Sequence, residues 1–153
     1  MPRSLAVLKS ELLEKVWQPS QPLATALATA QAWADAYGVY ASDALACLAP
    51  PIPGQIDLAV IRLRGGLIPA FAAFDPATTS LAMQAAFMLF WTGFLFTGSA
   101  VVVPGTPTLA AILLAQWATN PPSVQLAVDV HSLILHAWTT SVVVGPPCSS
   151  PIT

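Results

Sequence analysis

The sequence predicts a mainly α fold: an alanine-rich helical domain with a short C-terminal β-strand and an extended proline-rich tail. Three observations carry this. Apolar residues recur at helical spacing in several separated stretches. Alanine fills the longest of them, between Leu23 and Leu48. Consecutive β-branched residues gather close to the C-terminal end, just before a run of prolines.

Taken in order, Ser4 to Trp17 makes the first helix, with Ser4 as cap and Leu5, Leu8, Leu12 and Val16 on one face. Glu11 and Lys15 stand four apart with the acid first, the favourable order for an exposed pair. Pro19, Ser20 and Pro22 break the chain before the alanine-rich stretch, where the small side chains favour helix and close packing. Gly38 interrupts or kinks that helix, and Asp35 and Asp43 fall at solvated positions. Ala49 to Gly54 is an extended turn. Gln55 to Arg64 fits a short helix or a buried strand, and Gly65-Gly66 is expected to end it. Leu81 to Val103 holds no charge and is long enough to span a bilayer as a helix. Gly93, Gly98 and Ser99 interrupt it, however, and Val101 to Val103 suit a strand. The expectation is a buried helix over 80–94, a loop and a short extended run.

Thr106, with Pro107 in the first turn, starts a helix that runs to Trp117 and stops at Asn120-Pro121-Pro122. Ser123 caps the next, with Val124, Val128, His131, Leu135 and Trp138 at helical spacing. Thr139 to Val144 reads as a strand, and the tail from Gly145 onward continues no regular element. Residues 1–153 are one helix-rich domain, with 139–153 as an extended C-terminal arm ordered by contact with another subunit. No secretory signal is visible, since Lys9 and Glu11 interrupt the apolar start.

Charge is distributed unevenly. All five basic residues (Arg3, Lys9, Lys15, Arg62, Arg64) precede residue 65, and beyond it only Asp75 and Asp129 are charged. Charged residues make up 8% of the chain, against 56% hydrophobic, and mean hydropathy is +0.70. A soluble monomer spreads charge over its whole surface, so the second half is expected to meet other chains or lipid. A net charge of −2 and the absence of Lys and Arg from that half exclude a nucleic-acid surface. Cys47 and Cys148 make no metal-ligand spacing and no disulfide framework. They are expected to stay apart, a single bridge being the open alternative.

Catalytic signatures are missing. Gly93 to Gly98 lacks the lysine of a phosphate-binding loop, and no nucleophile elbow or metalloprotease pair is present. Asp129, His131 and His136 form the one constellation to weigh, but five positions on a helix set the two histidines about 140° apart. No catalytic residue, metal site or cofactor is assigned, and the chain is read as no enzyme. Phe87, Phe90, Trp91, Phe94 and Phe96 are expected to form core or subunit interface. The interface candidates are Trp91, Phe94, Trp138, Val142 and Val144.

Trp33-Ala34-Asp35-Ala36-Tyr37 in an alanine-rich helix, and the helix that turns straight into a Thr/Val strand at Leu135-His136-Ala137-Trp138-Thr139-Thr140-Ser141-Val142-Val143-Val144, carry a resemblance. The pattern resembles small structural virion proteins of tailed bacteriophages. That resemblance implies a non-enzymatic role in a phage particle, as a capsid, neck or tail component. The expected function is a structural subunit of a large multi-copy assembly, with copies of itself and other structural proteins of the particle as partners. The rival is a small integral membrane protein of the pore-forming or lysis type, with a span near 81–103.

Overall fold

The computed structural model describes residues 3–119 and 123–153; the helix stop expected at Asn120-Pro121-Pro122 lies outside the described residues. The helices are α1 (Leu5–Leu12), α2 (Ala26–Ser42), α3 (Gln55–Ala72), α4 (Pro76–Trp91), α5 (Leu109–Trp117) and α6 (Val124–Thr139). The strands are β1 (Leu95–Phe96), β2 (Ser99–Pro104) and β3 (Val142–Val144). A π-helical turn, Leu13–Trp17, extends α1. Each helix packs on the next, and α6 returns to α1, so the six close into a ring. The antiparallel sheet, in the order β1-β2-β3, is joined to α4 through β2.

Local chemistry starts the helices where short polar side chains sit. Thr25, Asp75 and Ser123 each accept a hydrogen bond from the backbone N–H three residues on, at 3.0, 2.8 and 3.1 Å. Each such cap contributes about 1 kcal/mol. Pro76 follows in the first turn, where its missing N–H costs nothing. Asp75 therefore starts α4 earlier than residue 80. At the other end Arg62 Nη1 donates to the Thr92 carbonyl at 2.7 Å, and its Nη2 reaches the Phe90 carbonyl at 3.5 Å, placing a cation on the negative pole of the helix.

The 81–103 run is divided between α4 and the β1–β2 hairpin. Among the described residues no helix is long and apolar enough to cross a membrane. Two other sequence expectations need correction. Gly65-Gly66 does not end a short element; α3 runs through both and through Pro69 to Ala72. Packing decides this against local propensity, because α3 lies between α2 and α4 and its glycine edge lets α4 approach. Nor is Gly38 a break in α2: it is the point where Val60 of α3 comes close. The Thr/Val strand is shorter than expected, since Thr139 is still helical and β3 begins at Val142.

Tyr37 stands at the centre. Its ring meets Phe87 and Phe90 edge-on at 4.9 and 5.0 Å between centroids. Its hydroxyl accepts from Trp91 Nε1 at 3.0 Å and lies 2.7 Å from Thr139 Oγ1. Thr139 in turn donates to the Leu135 carbonyl at 2.5 Å, which leaves Tyr37 to donate to Thr139. Three helices are thereby joined through one phenol. Burial holds its proton on, pushing the pKa of Tyr37 well above the ordinary tyrosine value.

Cys47 and Cys148 are bridged, with Cα atoms 5.7 Å apart and a separation of 101 positions in the chain. Spacing in sequence gave no sign of this, because the two turns meet only through the fold. Closing a loop of that length contributes on the order of 4 kcal/mol.

The two neighbouring glycines of α3 are expected to respond oppositely to alanine. A methyl group at Gly66 falls 2.7 Å from Ala86 Cβ and 3.0 Å from its Cα, whereas Gly65 faces open space. Gly65→Ala should stabilise by about 0.5–1 kcal/mol through helix propensity. Gly66→Ala should destabilise by about 1–3 kcal/mol, because backbone must move to admit it. Urea unfolding of the two variants checks the sign of each.

Candidate interaction surface

The polar groups that chemistry would need are engaged in holding the fold. Asp129 lies 3.3 Å from Lys9 Nζ, tying α6 to α1. His131 is buried beside Trp17 and Trp33, with ring centroids 5.2 and 6.1 Å away. Its Nδ1–H donates to the Ala127 carbonyl at 2.8 Å, and its Nε2 accepts from Trp117 Nε1 at 2.9 Å. Both nitrogens are used, which fixes the neutral tautomer. His136 is 2.9 Å through Nδ1 from the Tyr40 hydroxyl, on another face of α6. Among the described residues no group of three or more His, Cys, Asp and Glu side chains is placed to hold a metal ion.

A cleft of about 520 Å³ lies between the π-helical turn and α2. Among its lining side chains, Gln31, Asp35 and Lys15 are engaged in contacts that hold the fold. Gln31 Nε2 donates to Asp35 at 2.5 Å, Arg64 Nη1 donates to Gln31 Oε1 at 2.8 Å, and Lys15 pairs with Glu11. These contacts join α3 to α2 and brace the turn.

The five interface candidates are placed inside the chain. Trp91 and Phe94 are wholly buried in the aromatic core, and Trp138 is nearly so, its Nε1 donating to the Thr106 carbonyl at 2.9 Å. Val142 and Val144 are buried as well, on β3 where it pairs with β2. None presents a free face, because alternation and helical spacing mark apolar sides without saying which neighbour covers them. The C-terminal arm is likewise held by its own chain. Val144 N–H donates to the Ser150 carbonyl at 3.0 Å, Ile152 N–H to the Val142 carbonyl at 3.1 Å, and the Ile152 side chain enters the core.

An exposed apolar surface lies on α5. Its sequence, Leu-Ala-Ala-Ile-Leu-Leu-Ala-Gln-Trp, has one polar residue. A helix apolar on all sides belongs in an interior or an interface. Leu109, Ala110 and Leu113 face the core, while Ala111, Ile112, Leu114 and Ala115 face outward. Clefts flank it on both sides. One of about 320 Å³ runs between α4 and α5 past Leu81 and Leu114; the other, about 330 Å³, runs between α5 and α6 past Ile112 and Leu133. Leu81, Leu133, Ile112 and Leu114 are 61, 56, 43 and 40% exposed. No charged residue lines either cleft. Hydropathy around the whole of this short helix was the signal available in sequence.

No protein-family model, curated protein or solved structure matches the chain.

Both histidines make folding sensitive to acid. Burial pushes His131 below the ordinary histidine value of 6.5, the bond to the Ala127 carbonyl opposing it in part. His136 is pushed the same way by burial and by the Arg3 guanidinium. The unfolded chain takes up protons near 6.5 that the folded chain refuses. Stability is therefore complete above 6.5 and is lost as pH falls through that value towards the folded values. Urea unfolding on either side of 6.5 should show the decline, and His131→Phe should reduce its slope to the part that His136 contributes.

Proposed function

We propose that the protein is a structural subunit of a large multi-copy assembly, joined to its neighbours through the outer face of α5. The observation that carries this is the uncharged apolar surface formed by Leu81, Ile112, Leu114 and Leu133 around a helix with one polar residue. Apolar patches of this kind mark places where another surface belongs. The resemblance of the alanine-rich and Thr/Val segments to structural proteins of tailed phages supports a virion as the setting, with the capsid, neck or tail as its possible places. No catalytic step is assigned.

The energetics favour repetition. Complete burial of a leucine or isoleucine is worth about 1.5–3 kcal/mol, so four half-exposed side chains supply on the order of 4 kcal/mol. Association costs about 4–15 kcal/mol in lost freedom. A single contact through α5 is thus weak, and it holds when many copies engage at once. A surface with few charges suits that arrangement, since most of it is covered in the particle.

Replacing Ile112 and Leu114 together by glutamate tests the proposal. Both side chains point outward, so circular dichroism should match the parent chain. Light scattering on a sizing column should show large particles for the parent and monomers for the variant. A variant that assembles as the parent does would remove α5 from the interface and take the proposal's main support with it.

A further inference from the structure

Backbone pairing around the sheet runs in a closed circuit. Residues 150–152 lie along the free side of β3 as a further stave, with Val143 opposite Pro151. Thr153 and Leu45 exchange both backbone bonds, at 2.8 and 2.9 Å. From Leu45 the chain continues to Pro51, opposite Phe96 of β1, where Ile52 N–H donates to the Leu95 carbonyl at 3.0 Å and Thr97 N–H to the Pro50 carbonyl at 2.9 Å. The segment from Gly145 onward closes the circuit, and its seat is built from β3, the strip around Leu45 and the Arg3 guanidinium, which donates to the Ile152 carbonyl at 3.3 Å.

That segment has the features of an exchangeable part. A single large apolar side chain, Ile152, anchors it in the core, and its remaining hold is backbone pairing, the Arg3 contact and the bridge to Cys47, each of which an identical seat can supply. It leaves β3 through Gly145-Pro146-Pro147-Cys148-Ser149, with both prolines exposed and Ser149 in the left-handed region at φ +51°. A non-glycine residue there costs about 1 kcal/mol or more, and short hinges under strain invite exchange between copies. Every copy has the same seat, so a neighbour's segment makes the same bonds. Across the seat, Cys47 is exposed in a two-residue turn in which both Cys47 and Leu48 have positive φ, +48° and +68°. Its partner Cys148 lies on the hinge itself.

We propose that residues 145–153 are an arm that exchanges between copies, seating on a neighbouring subunit so that Cys148 bonds to Cys47 of the partner subunit. This rests on the reading of the chain as an assembly subunit. The bridge that staples the monomer then becomes a covalent link between subunits, without a new contact surface. Formation from reduced chains needs a low-molecular-weight disulfide as oxidant. Two cysteine thiols lose two electrons and two protons, and oxidised glutathione takes both up to give two molecules of reduced glutathione.

The test uses the whole chain in two isotopic forms, ¹⁴N and ¹⁵N. Equal amounts are reduced, unfolded together, refolded at high protein concentration and reoxidised with oxidised glutathione. Species are separated by size, and the bridged Cys47–Cys148 peptides are weighed by mass spectrometry. Exchange predicts that about half of the bridges in the multimeric fraction carry mixed label, the share for random pairing of identical seats. Bridges of unmixed label in every fraction overturn it, and if large particles form all the same, assembly through α5 stands without arm exchange. Mixed bridges confined to dimers sustain the exchange and sink the large-assembly reading. A second mixture, Cys47→Ser with Cys148→Ser, keeps the proposal open to failure if the first refolds poorly. Each variant holds one half of the bridge, so the linked heterodimer should exceed either homodimer roughly tenfold through seating; a heterodimer no more than about twice either homodimer, the share for unselective pairing, overturns it.

Discussion

The fold depends on a relay of three hydrogen bonds that begins at an indole and ends at a helix carbonyl. Trp91 donates to Tyr37, Tyr37 to Thr139, and Thr139 to Leu135. An apolar interior leaves a buried polar atom expensive unless it is bonded, at about 1–3 kcal/mol for each one lost. Here each hydroxyl both accepts and donates, so the series closes without a remainder. It also fixes geometry: α2, α4 and α6 must stand at the distances that the phenol spans. The surrounding rings of Phe87, Phe90 and Phe94 exclude water from it. Leu or Ala packing alone would hold the helices together but would leave their relative rotation less well defined.

The scarce cations serve the same end. Arg62 closes α4, Arg64 reaches α2 through Gln31, Lys9 joins α1 to α6, Lys15 braces the first turn with Glu11, and Arg3 grips the Ile152 carbonyl. All five basic residues are thus committed to contacts within the chain. What remains for the exterior of the second half is Asp75, Asp129 and uncharged surface. A chain that spends its charge on internal fastening cannot also use it to stay apart from its neighbours.

Much of the architecture was legible where one residue decides locally. Ser123 announces α6 by its hydroxyl, and the spacing of Leu8 and Leu12 marks the side of α1 that is buried. Legibility failed where distant parts decide. The Gly65-Gly66 pair reads as a stop until α4 is placed against it, and the meeting of Cys47 with Cys148 has no local sign. The surface was misjudged for a related reason. Trp91, Phe94, Trp138, Val142 and Val144 are the residues that look most able to bind, and for that reason the chain buries them in itself. Periodicity tells which side of an element is apolar but not whether the cover is the same chain or another. The exposed side of α5 had no such contrast to read, being apolar all round.

The closed circuit of backbone pairing has a consequence for the order in which the molecule is made. Leu45 and Thr153, which bond each other directly, are separated by 108 positions. At ribosomal speeds of about 5–20 residues per second, the strip around Leu45 waits on the order of 5–20 s for its partner. During that interval α2 and α3 can pair, since they are neighbours in the chain, while the backbone groups at Leu45 have none of their final partners to bind. Translation order thereby makes the backbone circuit the last part of the fold to close, after the helices that it borders have packed.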